Sequence, residues 1–154
     1  MDTQTSKLVA LWEESRTRLE KIVNTITTND LRKTLAPSPN SIGFLLQHIA
    51  EVELLFAKNV FDAKDTKVIA KTIIAQHDTG EWTDLESIIS NLDRSRKSLQ
   101  AIISQQRDSD WDDDVITKEF GTRTKTQALG RITSHTAYHA GQVKIILKYG
   151  SDNS

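Results

Sequence analysis

The chain of 154 residues contains no cysteine and only two prolines and six glycines. The missing cysteines exclude disulfides, thiolate metal ligands and a cysteine nucleophile, so any sulfur chemistry has to use a sulfur atom of the substrate. So few prolines and glycines argue against a sandwich of many short strands joined by turns. With 37% hydrophobic and 27% charged residues, the composition favours an all-α globular protein.

The sequence also lacks a strong net charge, a long basic run and a long hydrophobic run. The formal net charge is −1, and without a basic stripe to neutralise phosphates we expect no nucleic-acid partner. No segment approaches the roughly 18 to 20 apolar residues of a membrane span, and the N-terminus shows no charged-then-apolar leader. These absences predict a cytoplasmic protein without a membrane-inserted part.

Apolar residues recur at helical spacing in four segments, which predicts four amphipathic helices. The length is that of one domain, which we place at residues 1–150, followed by a disordered tail at 151–154. Ser41 is expected to cap the second helix and Thr83 the third, and Gly150 to end the last. The predicted helices cover about residues 6–26, 41–61, 84–103 and 125–149.

The loops between these helices are longer than a minimal bundle requires. The loop at residues 62–83 is expected to contain a short helix or an extended piece in its middle. Alternation in VITKEF, residues 115–120, predicts a small β-hairpin arm before the last helix. Loops of this length cross over a bundle or line a pocket. The expected fold is therefore a four-helix bundle with long crossover loops.

Three of the four histidines lie on apolar faces of two predicted helices. His135 and His139 are about 40° apart around one helix and about 6 Å apart along it, so both imidazoles can reach one ion. His48 lies on another helix between Leu45 and Val52 at helical spacing. Three neutral imidazoles would leave a divalent ion with an open coordination position, as in catalytic sites. The alternative is that the three are ordinary boundary or core histidines with hydrogen-bond partners.

The surroundings of these histidines supply candidate auxiliary residues. Glu51, one turn after His48, is a candidate for positioning a metal-bound water, and Gln142 for hydrogen bonding to a ligand or a bound water. Arg131 and Tyr138 are candidates for substrate contact only. His77 lies in a polar segment and is interpreted as a solvated loop residue outside the site.

Two segments resemble the DinB/YfiT-like family of bacterial four-helix-bundle proteins, which includes bacillithiol and mycothiol S-transferase-like proteins. They are SIGFLLQHIAEVE, residues 41–53, and SHTAYHAGQVKIILKYG, residues 134–150. The resemblance implies that His48, His135 and His139 are the metal ligands, that the ion is nickel or zinc, and that the protein forms homodimers. It differs at Ala140, where some family members have an arginine, so a substrate contact by that arginine is not implied here.

Two functional hypotheses follow, and a third reading has no metal. In the first, the protein is a metal-dependent enzyme in which nickel, zinc or iron activates water or a low-molecular-weight thiol, as in a hydrolase or a thiol S-transferase. In the second, it is a non-catalytic stress-response or binding bundle, in which the metal only joins the second and fourth predicted helices. In the third, the histidines are packed core residues. The residues alone do not choose between them, and they do not identify the substrate.

Overall fold

The computed structural model describes residues 2–152. Four long helices form a bundle, which confirms the predicted fold class, and a fifth, short helix lies in the loop between the second and third long ones. A two-stranded antiparallel sheet precedes the last helix. The elements are α1 (Gln4–Val23), α2 (Ile42–Asn59), α3 (Lys71–Ala75), α4 (Leu85–Ser104), β1 (Asp114–Thr117), β2 (Gly121–Thr124) and α5 (Lys125–Tyr149).

Helix α2 is the central helix of the bundle. Most of its residues are buried, because it packs against α4 and α5 and also against α3. The predicted single inward stripe was therefore too narrow for this helix, although Leu45 and Val52 are buried as expected. A helix that is apolar on most sides is typical of an interior position.

The helix ends follow from capping side chains. The Ser41 hydroxyl accepts a hydrogen bond from the Phe44 amide at 3.2 Å, which confirms the predicted cap of α2. The prediction of Thr83 as the cap of α4 was wrong by one residue: Asp84 has extended backbone, and its carboxylate accepts a hydrogen bond from the Ser87 amide. An aspartate at this position also favours the positive end of the helix dipole.

Gly150 follows the last residue of α5, as predicted, but it does not form a left-handed C-cap. Its φ of −80° is open to any residue. A Cβ atom at this position would lie 2.6 Å from the Ile146 carbonyl oxygen and 2.7 Å from the Thr34 carbonyl oxygen. Glycine is therefore required here for the close approach of two backbone segments.

The hairpin arm before α5 is present as predicted. Its strands pair Val115 with Arg123 and Thr117 with Gly121, and Gly121 has a φ of 69°, which glycine adopts without strain. Phe120 anchors the turn between the strands, because its side chain is buried against the core. In the long loop before α4, the short helix α3 forms, rather than an extended piece.

A polar layer divides the bundle core into two hydrophobic clusters. In this layer the Arg16 guanidinium is paired with the Glu53 carboxylate at 3.0 Å, with both side chains buried. Ser95 and Thr136 donate hydroxyl hydrogen bonds to the same carboxylate. The layer joins α1, α2, α4 and α5, because each of these helices contributes one of the four residues.

The chain end lies against the loop before α2. Ser151 forms an antiparallel bridge with Thr34, although the predicted tail began at this residue. Residues 153–154 of that predicted tail lie outside the described residues, and the single-domain division stays a prediction. Within residues 2–152, none of the helices combines the length and the hydrophobicity that crossing a bilayer requires.

Candidate metal centre

Helices α2 and α5 bring the three predicted histidines together. One ring nitrogen from each of His48, His135 and His139 lies within 4.8 Å of the other two. Nε2 of His48 and Nε2 of His135 are 3.2 Å apart. The spacing of four residues places His135 and His139 on one face of α5, with ring centroids 4.5 Å apart. Three imidazoles in this arrangement form a compact set of nitrogen donors between two helices.

The imidazole of His48 is oriented by a hydrogen-bond chain that reaches α3. Its Nδ1 lies 3.0 Å from the Thr72 hydroxyl oxygen, and that hydroxyl donates its hydrogen to the Glu51 carboxylate. Because the hydroxyl hydrogen is used on Glu51, Nδ1 of His48 is assigned as the donor to Thr72. Nε2 of His48 is then left with its lone pair, and it is the nitrogen that faces the other histidines.

Glu51 supports this chain through several hydrogen bonds. Its carboxylate accepts from the backbone amides of Lys71 and Thr72 at 3.1 and 2.9 Å, so it also holds the first turn of α3. Gln47 donates to it from the same helix at 3.1 Å. Glu51 is buried and reaches His48 only through the Thr72 hydroxyl. Its contacts indicate a positioning residue that acts on the triad indirectly, through Thr72.

Gln142 performs a similar task at His139. Its amide oxygen lies 2.6 Å from Nδ1 of His139, so Nδ1 donates there and Nε2 is the nitrogen left over. His135 has no such support: its Nδ1 is the one buried side-chain nitrogen or oxygen without a hydrogen-bond partner in the part of the chain that the structure describes. Two of the three histidines therefore have the outer hydrogen bond that metal-binding histidines usually make.

The histidines are neutral at physiological pH. Burial, assisted by the nearby His139, lowers the pKa of His48 to about 4. Burial and the other two imidazoles lower the pKa of His135 to about 3. Burial also lowers the pKa of His139, against the opposing effect of its hydrogen bond to Gln142. Neutral imidazoles keep the lone pairs that bind a cation.

A cavity of about 430 Å³ opens beside the triad, and His48 and His135 form part of its wall. This is within the range of small-molecule sites. Helix α2 supplies the largest share of the wall, α5 adds His135, α3 adds Ile73, and the hairpin arm adds Thr117, Glu119 and Phe120. The long loops thus line a pocket, one of the two roles predicted for them. The apolar residues of the wall are Val52, Leu55, Phe56, Val60, Ile73 and Phe120.

The remaining residues considered from sequence lie around the edge of this site. The Arg131 guanidinium lies 5.3 Å from the centre of the Phe120 ring, outside the cavity wall. Tyr138 is exposed, and its ring contacts His139 edge-on at 5.1 Å. His77 is exposed and lies outside the triad, in agreement with its interpretation as a loop residue.

Sequence reasoning missed Thr72 and the residues of the hairpin turn. Thr72 is 24 residues from His48 and lies in a loop whose path no local pattern predicts. Phe120 and Glu119 lie in the segment predicted as a hairpin, but strand alternation does not indicate which side of an arm faces a cavity. A polar residue beside two isoleucines in KTIIA was the only local signal for Thr72.

The donor set fits a divalent metal ion. Imidazole nitrogens bind zinc, nickel, copper and iron. In this site the three imidazoles are neutral and close together. Two of them are held in the tautomer that leaves the lone pair of Nε2 for an ion. Among known families, the profile of the DinB superfamily matches residues 11–143. That span contains all of α2, the part of α5 up to Val143 and all three histidines. No curated protein matches the chain.

Proposed function

We propose, since this chain belongs to the DinB superfamily, that it binds one divalent metal ion through His48, His135 and His139 and acts as a metal-dependent enzyme. The observation that carries the proposal is the cavity of about 430 Å³, with two of these histidines in its wall. A metal that only joins two helices needs no adjoining space for a small molecule. Catalytic metal sites, in contrast, keep a coordination position open toward substrate.

The reaction class that suits this arrangement is hydrolysis or transfer of a low-molecular-weight thiol. A divalent ion held by three imidazoles lowers the pKa of water or of a thiol toward neutrality, which supplies a nucleophile without a separate strong base. The chain has no cysteine, so in a thiol transfer the sulfur has to come from a small molecule. Nickel and zinc are the leading candidates for the ion and iron is a third, because all three accept imidazole ligands.

The protein side chains have binding and orienting roles in this proposal. Thr72 and Gln142 hold His48 and His139 with Nε2 toward the ion. Phe56 and Phe120, whose rings are 6.0 Å apart, line the cavity and would limit the space for water beside the reacting groups. Exclusion of water strengthens electrostatic interactions with a bound substrate.

Metal content measured by mass spectrometry on untagged protein tests the site. We expect about one equivalent of metal per native chain and none in the triple variant His48→Ala, His135→Ala, His139→Ala. His77→Ala is the matched control, because His77 is exposed and outside the triad, and it should keep the metal. Loss of metal from His77→Ala, or no metal in native protein after incubation with nickel, zinc or iron, would reject the site.

A second measurement separates an enzyme site from a structural metal. After loading with cobalt(II), an open site changes its visible absorption spectrum when a small thiol such as 2-mercaptoethanol is added, because the thiol enters the coordination sphere. A sealed site, as in the non-catalytic stress-response or binding bundle, keeps its spectrum. An unchanged spectrum in a protein with stoichiometric metal would favour that alternative.

A homodimer remains part of the proposal. Most apolar residues of α1 and α4 close the monomer core, but Leu11 and Ile89 are 62% and 42% exposed. Apolar surface of this kind on one side of a bundle is available for a second copy. Sedimentation velocity on the native protein checks the oligomeric state.

A further inference from the structure

The mouth of the cavity carries one charged residue, and that residue is acidic. Glu119 in the hairpin turn lines the cavity together with Asn59 at the end of α2. Both side chains are exposed, and neither makes a hydrogen bond or an ion pair with another described residue. A carboxylate and an amide without partners are therefore available in the solvent-exposed part of the cavity lining.

Positive charge is missing from the same wall. No lysine or arginine of the described chain lines the cavity. The Arg131 guanidinium lies over the Phe120 ring, and Arg131 is not part of the wall. In the metal-free protein, an anionic molecule in this cavity would meet only the Glu119 carboxylate as a charged group of the wall.

The size of the cavity limits the body of the molecule. A dry protein cavity of about 150 Å³ accommodates benzene, so about 430 Å³ accommodates roughly 15 to 20 non-hydrogen atoms by the same proportion. Six aliphatic or aromatic side chains form most of the wall, which favours a hydrocarbon body over a sugar or a polycarboxylate.

We propose that the cavity takes a small molecule with an apolar body directed toward His48 and His135 and a cationic amine at the mouth beside Glu119. This inference rests on the proposed function for the reaction, but the binding itself requires no metal. It assigns Glu119 as a specificity-determining residue. It also separates this site from sites for anionic thiols, which would need a basic residue at the mouth.

Direct binding measurements test the charge preference. The probes are 4-phenylbutyl-trimethylammonium, 4-phenylbutanol and 4-phenylbutanesulfonate, which share one apolar body and differ in charge. The quaternary ammonium has no lone pair, so it does not coordinate a metal. Calorimetry on metal-free protein should give an affinity for the ammonium about tenfold above that for the sulfonate at low salt, with a smaller ratio at high salt.

Substitutions of Glu119 test its role in the preference for the ammonium probe. In Glu119→Gln the preference for the ammonium should fall to about one, and in Glu119→Lys it should reverse. Glu86→Gln is the matched control: Glu86 is an exposed glutamate of α4 that does not line the cavity, and the native preference should persist. Because Glu119 is on the surface, these variants leave the core unchanged.

A substitution in the cavity wall tests whether the probes bind in this cavity. Ile73 is 40% exposed and lines the cavity, so Ile73→Trp places an indole ring in it with little effect on the core. We expect all three probes to lose affinity. Unchanged affinity in Ile73→Trp, or a native affinity for the sulfonate equal to or above that for the ammonium, would overturn the inference.

Failure of this inference can be distinguished from failure of the proposed function. Selective ammonium binding by a protein that takes up no metal would reject the metal enzyme and keep the inference. Stoichiometric metal without any preference for the ammonium would reject the inference alone. If the sulfonate binds and Arg131→Gln abolishes that binding, the recognising charge is Arg131 and the inference is wrong.

Discussion

At the scale of single residues, the orientation of His48 depends on a hydroxyl group from another element. Thr72 accepts from Nδ1 of His48 and donates to Glu51, and its side chain is buried. Metal ligands lose about 10- to 100-fold in affinity when such an outer partner is removed. The Thr72 hydroxyl is therefore expected to matter for metal binding although it touches no metal.

The variant Thr72→Val removes this hydroxyl and keeps a similar shape. We expect the metal affinity to fall about 10- to 100-fold, measured by competition with a chelator of known affinity. Thr72→Ser, which keeps the hydroxyl, should stay within a few-fold of the native protein. An affinity in Thr72→Val equal to that of Thr72→Ser would show that the hydrogen-bond chain does not tune the site.

The neutral histidines also predict a pH dependence of the metal-free protein. In the unfolded chain a histidine titrates near 6.5, whereas the pKa is about 4 for His48 and about 3 for His135 in the folded state. Between about pH 6.5 and 4 the unfolded chain thus binds more protons, and stability falls as the pH is lowered. Above pH 6.5 both states hold neutral rings, and these groups make no pH-dependent contribution.

Urea denaturation of metal-free protein at pH 7 and pH 5 measures this effect. Both rings are partly exposed, so we discount the full linkage value and expect an extra loss of about 2 kcal/mol at pH 5. The double variant His48→Gln, His135→Gln should lack this extra loss. The same pH sensitivity in the double variant would assign the loss to other groups.

At the scale of elements, a glycine sets how closely α2 approaches its neighbouring loops. A Cβ on Gly43 would lie 1.9 Å from the Trp82 carbonyl oxygen and 3.3 Å from the Leu31 carbonyl oxygen. The Gly43 amide donates to Leu31 at 3.0 Å, so the backbone cannot move away without losing that hydrogen bond. The loops before α2 and before α4 are therefore fixed on the first turn of α2, where Gly43 lies about one and a half turns from His48.

The variant Gly43→Ala is expected to destabilise the protein by about 2 to 3 kcal/mol, because the Trp82 loop has to move. Gly130→Ala is the matched control. Gly130 is also helical, in α5, but a Cβ there meets nothing within 4 Å, so this change should stabilise by about 0.5 to 1 kcal/mol. Opposite signs in urea denaturation support the close approach, and equal effects would contradict it.

The elements also show which parts of the fold were predictable from sequence. The predicted bounds of α5, about residues 125–149, agree with the structure, because apolar residues recur at helical spacing along it and Gly150 follows its end; the capping box of Thr124 and Gln127 at its start is seen only in the structure. The partner of Glu53 was not predictable. Its pairing with Arg16 on another helix depends on how α1 and α2 pack, and a glutamate within an apolar helix carries no signal of its partner.

At the scale of the whole molecule, the triad was predictable because its members share periodicity. The spacing of His135 and His139 and the apolar neighbours of His48 placed three imidazoles on inward faces, and the bundle brought them together. The cavity was not predictable in the same way. Its wall combines α2 with α3 and the hairpin turn, and the path of these connecting segments depends on tertiary contacts, such as Phe120 with Phe56.

In the proposed metal site, binding of the ion would be coupled to the stability of the whole bundle. Its ligands come from α2 and α5, with His48 and His135 separated by 87 residues, so the unfolded chain does not present them together. An ion that binds only the folded state stabilises it by about 4 kcal/mol when the free ion is about 1,000-fold above the dissociation constant. For a chain of this size, that corresponds to a rise in Tm of roughly 10 °C.

Chelation should therefore lower the Tm of native protein by roughly 10 °C, measured by calorimetry before and after treatment with a chelator. The Tm of the triple variant His48→Ala, His135→Ala, His139→Ala should not respond, whereas His77→Ala should respond like the native protein. A native Tm that stays constant after complete removal of metal would mean that the ion does not join α2 and α5. Because the proposed catalysis and the expected stabilisation use the same three nitrogens, a Tm shift that is lost in the triple variant would locate the ion at the triad, and the response of the cobalt spectrum to thiol would decide whether the site is open.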